Sequence, residues 1–205
     1  MLTLIAGYRR TGKDTLVKMF NGEITFNWIV YKHPGNDKRF VMKKVKRIGF
    51  ADKLRIELDT ILGTDESIDY DTYKETIIKD GKTYRDCLRE HAKMRRDQDI
   101  NYWVRRATEW DKVYSDDRIA VTDWRYINEL EYISNFKNLE ITTIRLYRSE
   151  ISIPSNDITS EHQLDNILTD FLLVTSSEEF KKACELFPQY KEFIQINVCQ
   201  DSCCL

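Results

Sequence analysis

The sequence predicts an α/β protein: a three-layer αβα arrangement around a parallel sheet of about five strands. Three observations carry this. Short β-branched and apolar runs alternate with segments of helical periodicity along the 205 residues. The first apolar run, Met1 to Ala6, passes through a glycine-containing loop straight into a helical pattern. The totals, 41% hydrophobic and 32% charged residues with a formal charge of −2, suit a single globular domain over residues 1–205 with a substantial core.

Taken in order, the first element is the strand ending at Ala6, and the loop after it is the most informative stretch. Gly7, Gly12 and Lys13 in GYRRTGKDT stand at the spacing G-x-x-x-x-G-K, that of a phosphate-binding loop, so the expected fold is of P-loop NTPase type. Glycines let the backbone take positive φ and close on a polyphosphate, aiming amides and a helix N-terminus at its oxygens. Lys13 adds a mobile charge for the β and γ phosphates. Asp14 follows Lys13 where a hydroxyl normally meets Mg²⁺; the metal is expected on Asp14, directly or through water, or on Thr15, and the sequence leaves both open.

The first helix runs to about Phe20 and is stopped by Asn21-Gly22. Residues 24–45 read as an inserted β-hairpin, with strands near Thr25–Tyr31 and Phe40–Val45 around His33-Pro34-Gly35-Asn36-Asp37. Its second arm is basic and is expected to be a solvated face; nucleic acid is not an expected partner of a chain with net negative charge. Arg47 to Phe50 begins another strand, and Ala51 to Leu62 is an amphipathic helix closed by Gly63. Residues 65–80 are expected to form helix and loop over a substrate cleft, with a turn at Asp80-Gly81. Helices follow over Thr83 to Asp97 and Asn101 to Tyr114, the latter presenting Trp103 and Trp110.

Arg118 to Thr122 reads as a strand with Asp123 at its C-terminal end, the edge where open α/β sheets bind ligands. Ile127, Leu130, Ile133 and Phe136 mark a helix, and Glu140 to Tyr147 a strand that Arg145 and Arg148 close. Residues 149–166 form a polar loop long enough to suggest a lid. Asp170 to Val174 is the last core strand and Ser176 to Phe187 its closing helix, capped by Ser176 or Ser177. The tail, about 188–205, includes a segment over Tyr190 to Val198 that fits helix or edge strand equally well.

No apolar run approaches the roughly 20 residues that cross a bilayer, and Arg9, Arg10 and Lys13 follow too short an apolar start for a secretory signal. An intracellular, cytoplasmic protein without membrane partners is expected. Cys199, Cys203 and Cys204 match no zinc pattern and are expected to be reduced thiols.

A phosphate loop alone fits many enzymes, so the rest of the chain must discriminate. The N-K-x-D run of a switch GTPase is missing. Instead arginines fall where the sheet would gather them: Arg9, Arg10, Arg125, Arg145 and Arg148, with Arg85 from a covering helix. That density suits a site holding two phosphorylated ligands. An acceptor phosphate is already anionic and needs no strong general base, and no histidine is expected near the loop. A monophosphate kinase fits these facts better than a sugar or alcohol kinase. Trp103, Trp124 and Phe50 are available as a slot for a nucleobase.

The ordered landmarks GYRRTGKDTL, GFADKLR, VTDWRYINEL, TIRLYR and TSEHQLDN resemble those of deoxynucleoside monophosphate kinases of phages and large DNA viruses. The resemblance spans about residues 1–177, leaving out the 24–45 segment and the tail. It implies transfer of the ATP γ-phosphoryl group to a deoxynucleoside monophosphate, with ATP and Mg²⁺ as cofactors, a dNMP as the small-molecule partner, and a homodimer. On the ATP side it implies Gly7, Arg10, Thr11, Gly12, Lys13, Asp14, Thr15 and Arg148, with Asp14 and Thr15 toward the metal. On the acceptor side it implies Arg9 or Arg10 at the acceptor phosphate, with Lys74, Arg85, Trp103, Asp123, Arg125 and Glu129, and Lys13, Arg9, Arg125 and Asp123 as the catalytic group. Lys53 stands where the family has a proline, and Trp124 and Tyr126 bracket Arg125 differently from many members, so base preference stays open. Animal-type phosphomevalonate kinases also carry a GKD loop, an element like Tyr73-Lys74-Glu75 and a run like Ser160 to Asn166. A non-catalytic nucleotide- or nucleic-acid-binding protein is the third reading.

Overall fold

The computed structural model describes residues 1–64, 73–107, 118–137, 139–154 and 162–198. The chain mixes helices and strands and divides into two compact units, Met1–Ile48 with Asp116–Leu205, and Gly49–Ser115.

The first unit is built on seven strands: β1 (Leu2–Ala6), β2 (Ile29–Lys32), β3 (Lys46–Ile48), β6 (Ile119–Val121), β7 (Ile141–Leu146), β8 (Phe171–Val174) and β9 (Ile194–Ile196). Their order is β3-β6-β1-β7-β8-β2-β9. The first five are parallel to their neighbours, which is the parallel sheet the sequence predicts. β2 and β9 extend it antiparallel. β1 is central and fully buried, as a parallel strand covered on both faces must be.

Alternation along β8 separates the two faces. Phe171 and Leu173 join Ile5, Ile144 and the buried side of helix α1 (Lys13–Phe20), namely Leu16, Val17, Met19 and Phe20. Leu172 and Val174 join Tyr31 and Ala183, Cys184 and Phe187 at helix α6 (Ser177–Leu186) on the opposite face. Each fully covered aliphatic side chain contributes about 1.5–3 kcal/mol relative to exposure. Helix α5 (Ile127–Ser134) follows β6 and buries Ile133 and Glu129.

The inserted hairpin does not form. Residues 29–32 are a strand, but residues 33–45 are not, and β2 pairs with β8 and β9 instead. The returning stretch is spent on covering the core: Phe40 packs against Phe20 and Phe171, and Val45 is buried in the same cluster. Its polar groups are tied down too. Asn36 Nδ2 donates to Asp170 O at 2.9 Å and Lys38 Nζ to Asp170 Oδ2 at 2.8 Å. The segment after Pro188, ambiguous in sequence, supplies the edge strand β9.

The second unit packs helices α2 (Phe50–Leu62), α3 (Tyr84–Gln98) and α4 (Tyr102–Ala107) around Leu54, Leu58, Tyr84, Leu88, Ala92 and Trp103. Gly63 ends α2 with φ 65°, as its sequence position predicts. The two-residue hairpin of this unit lies at Asp80-Gly81, where positive φ at both residues (49° and 74°) joins β4 (Ile77–Lys79) to β5 (Lys82–Thr83). Thr83 and Asp86 then form a reciprocal cap on α3. The helix expected over Asn101 to Tyr114 is present as far as Ala107; Trp110 and the 65–72 stretch lie outside the described residues.

Glu57 on α2 ties the three helices together, taking hydrogen bonds from His91 Nε2 (3.0 Å), Arg95 Nε (2.7 Å) and Tyr102 OH (2.7 Å). Burial alone would raise its pKa, but the Tyr102, Arg95 and His91 bonds and the Arg95 charge outweigh it and hold the carboxyl below its usual range. A depressed carboxylate contributes stability that is complete above its unfolded value, about 4.3, and is lost as pH falls through the lower folded value. Glu57→Gln is therefore expected to cost about 1–3 kcal/mol at pH 7 and to flatten the loss of stability in acid. Urea unfolding followed by circular dichroism at neutral and acid pH checks this; identical pH slopes for both proteins would refute it.

Candidate functional site

The β1–α1 turn has the geometry of an anion cradle. Gly7, Arg10 and Gly12 take φ of 146°, 68° and 97°, so the backbone reverses its curl three times within six residues. Gly7 has no room for a side chain: a Cβ there would lie 2.6 Å from Thr11 Oγ1 and 2.9 Å from Leu146 O. Thr11, itself 2% exposed, donates through N and Oγ1 to Tyr8 O. Gly12 caps α1, and its carbonyl accepts from Leu16 N. Lys13 arches back over the loop, its Nζ 2.7 Å from Gly7 O and 2.8 Å from Tyr8 O. Arg9 and Arg10 are exposed and have no hydrogen bond or ion pair to another described residue. A helix N-terminus flanked by an ammonium and two guanidinium groups attracts an anion.

The cradle is braced from the far end of the chain. Tyr8 OH donates to Asp165 Oδ2 at 3.0 Å, which also takes His162 Nδ1 at 2.7 Å, and the Tyr8 and His162 rings meet edge on at 5.7 Å. Arg145 lies 3.6 Å from Asp165 Oδ1. It is 2% exposed, bonded to Tyr190 OH and Leu164 O, with its guanidinium 4.5 Å from the Phe187 ring centroid. Arg145 is thus a buried strut that holds the 162–165 segment, not one of a group of phosphate-facing arginines. Burial of its strand position on both faces of the sheet is the reason. The Tyr8–His162 contact likewise corrects the expectation that no histidine lies near the loop, although the imidazole is occupied with Asp165 and Pro154 O.

The parallel register of β1 and β6 (Leu4 opposite Val121) carries Asp123 to the sheet edge that bears Gly7. Glu129, 4% exposed, shapes the turn between β6 and α5: its Oε2 accepts from Arg125 N (3.0 Å) and Tyr126 N (3.1 Å) at the start of that helix. Glu129 therefore positions Arg125. Asp123 and Arg125 are both half-buried. Trp124 points inward at 2% exposure and donates Nε1 to Tyr126 O, so it does not serve as a base slot.

Two of the expected acceptor-side residues meet in the second unit. Arg85 N donates to Lys74 O, and Arg85 Nη2 pairs with Glu75 Oε1 at 2.6 Å. Trp103 does not join them. It is 2% exposed, donates Nε1 to Ala92 O, and packs against Tyr102 and His91, a core residue of the helical unit. Phe50 is buried as well, at 3%.

At the end of β7, Arg148 pairs with Glu150, and the adjacent Ser149 N donates to Glu179 Oε1 at 2.9 Å. Burial of Glu179 acts against its charge, but bonds from Thr175 and Ser149 prevail and hold its carboxyl below the usual range. Phe26 and Trp28 stand on the loop's other flank. Trp28 Cζ2 is 3.5 Å from where a Gly12 Cβ would lie, and the Phe26 ring is 5.1 Å from the Trp28 ring and 6.0 Å from the Arg148 guanidinium. The sequence pattern assigns these aromatics to a hairpin arm; their only signal as part of the site is an F-x-W step soon after α1. Tyr8, Asp165 and Glu179 give no sequence signal as bracing residues, since their partners are remote.

Magnesium on a nucleotide keeps several waters and needs one or two protein oxygens. Asp14 is 68% exposed at its side chain and accepts from Arg47 Nε at 2.9 Å. Thr15 Oγ1 lies 3.8 Å from the Gly12 Cβ position, on the loop side. Asp14 and Thr15 could each offer one such oxygen. Among the described residues no group of three or more His, Cys, Asp or Glu forms a protein-only metal cage, and no helix is long and apolar enough to cross a membrane. No family model matches the sequence, and none of the curated proteins matches it.

Gly7→Ala is expected to force the loop away from Leu146 and Thr11 and to lower stability by about 1–3 kcal/mol, seen as a drop in Tm. An unchanged Tm would mean that the loop is not held as described.

Proposed function

We propose that this chain is a P-loop kinase that transfers the γ-phosphoryl group of ATP to a deoxynucleoside monophosphate. The observation that carries the reading is the loop itself: three left-handed backbone positions, the N-terminus of α1, and Lys13 Nζ already bent across the loop mouth onto Gly7 O and Tyr8 O. Those carbonyl bonds are ones an ammonium exchanges readily for the more strongly charged oxygens of a triphosphate. The five-stranded parallel order β3-β6-β1-β7-β8, with the loop on the central strand, supports the reading.

Chemistry follows from charge. Phosphoryl transfer spreads negative charge over the equatorial oxygens, and catalysis is mainly positioning and electrostatic stabilisation. Lys13 and the loop amides hold the donor's phosphates. Arg9, exposed at the loop crest, and Arg125, presented by the Glu129 clamp, hold the acceptor phosphate in this reading. Asp123 orients groups at the sheet edge. Asp14 or Thr15 would hold a magnesium ion, which would supply further neutralisation of the phosphate charge. The dNMP acceptor, as against another phosphorylated small molecule, rests on the resemblance of the ordered landmarks.

Lys13→Ala is expected to lower kcat by at least about 10²-fold with the fold intact; near-normal turnover would exclude this chemistry. Arg125→Ala is expected to raise KM for the acceptor while leaving KM for ATP within about twofold. An effect on ATP alone would put Arg125 on the other side of the site. A coupled ADP-release assay with dTMP, dGMP, dCMP, dAMP, the ribonucleotides and phosphomevalonate tests the acceptor class directly. Release stimulated only by phosphomevalonate, or by none of them, would overturn the nucleotide reading.

A further inference from the structure

Beside the loop stands a feature that core packing does not use up. Phe26 and Trp28 are only half-buried, although both lean on the α1 side of the core. Their rings are tilted by 39° at 5.1 Å, and the Trp28 edge comes within 3.5 Å of the Gly12 Cβ position. The Arg148 guanidinium stands 6.0 Å from the Phe26 ring. Two donors of this group, Trp28 Nε1 and Arg148 Nε, are shielded from solvent and find no hydrogen-bond acceptor among the described residues.

We propose that Phe26 and Trp28 are the seat for the nucleoside part of the donor triphosphate, an assignment that rests on reading the loop as a triphosphate cradle. A polyphosphate gripped by Gly12 and Lys13 must carry its nucleoside away along a neighbouring surface. The aromatic pair is the surface that meets Gly12. Ring faces with a guanidinium alongside are what a base or ribose stacks against, and such stacking tolerates any base. Among the described residues no carboxylate is bonded to either aromatic residue to read an exocyclic amine, so the seat favours nucleotides over bare polyphosphate with weak discrimination among bases.

Isothermal titration of the full chain with ATP and with inorganic tripolyphosphate tests this, using wild type, Trp28→Leu and Phe26→Leu, each checked by thermal melting. Wild type is expected to bind ATP about tenfold more tightly than tripolyphosphate, from the stacking of one base. Trp28→Leu is expected to lose that tenfold for ATP and to keep its tripolyphosphate affinity; Phe26→Leu repeats the pattern if Trp28→Leu does not fold. Equal losses for both ligands, or no loss for ATP in either variant, would overturn the seat. Wild type binding both ligands equally would remove the seat and leave the cradle standing. Binding of neither would remove the cradle and the seat together.

Discussion

The structure depends on one close approach: the backbone at Gly7 crosses the end of β7 with no space for a Cβ between Leu146 O and Thr11 Oγ1. Because β1 is central in the parallel sheet, its chain must leave the C-terminal edge between β6 and β7 and turn at once into α1. Only a residue without a side chain makes that turn at φ 146°. The consequence reaches the whole site. The same tight turn aims the α1 N-terminus outward, brings Lys13 over the loop, and exposes Arg9 and Arg10 at its crest.

Arg10, at φ 68°, holds a conformation that residues with a side chain rarely adopt, and such strain persists only where the surroundings overdetermine it. Here the bracing is long-range. Tyr8 is held by Asp165, Asp165 by His162 and Arg145, and Arg145 by Tyr190 and Leu164. Glu179 performs the same service for the Ser149 end of β7, and Glu129 for Arg125. Three buried acidic or basic side chains thus spend their charge on backbone and phenol groups around the cradle. The exposed Arg9 and Arg10 do not. That contrast separates positioning residues from candidate ligand-binding ones more sharply than the count of arginines does.

Burial also redraws the aromatic map of the site. Trp103, Trp124 and Phe50 look like a base slot in the sequence, which shows that an aromatic is present but not which way it faces. All three are internal. Phe26 and Trp28 are half-buried and lie beside the loop, in a segment whose β-branched and aromatic composition fits a hairpin arm. The hairpin lost because β8 offered Ile29–Lys32 a better partner, and Phe40 and Val45 were needed to close the core against Phe20 and Phe171.

Sequence by itself determined the features that depend on residues within about four positions. These are the strand-loop-helix cradle with Gly7, Gly12 and Lys13, the Gly63 helix stop, the Thr83–Asp86 and Ser176–Glu179 caps, and the Asp80-Gly81 turn. Backbone conformation there follows from local sterics and short hydrogen bonds. Tertiary structure decided what local chemistry leaves degenerate: the partners of β2, the choice of strand for residues 194–196, the inward turn of Arg145 and Trp103, and the placing of Trp28 on the loop. Those outcomes join residues as far apart as Val30 and Ile196, paired between β2 and β9. No pattern within a short window encodes which of many compatible partners will fill a given space, because that is settled by packing the whole core at once.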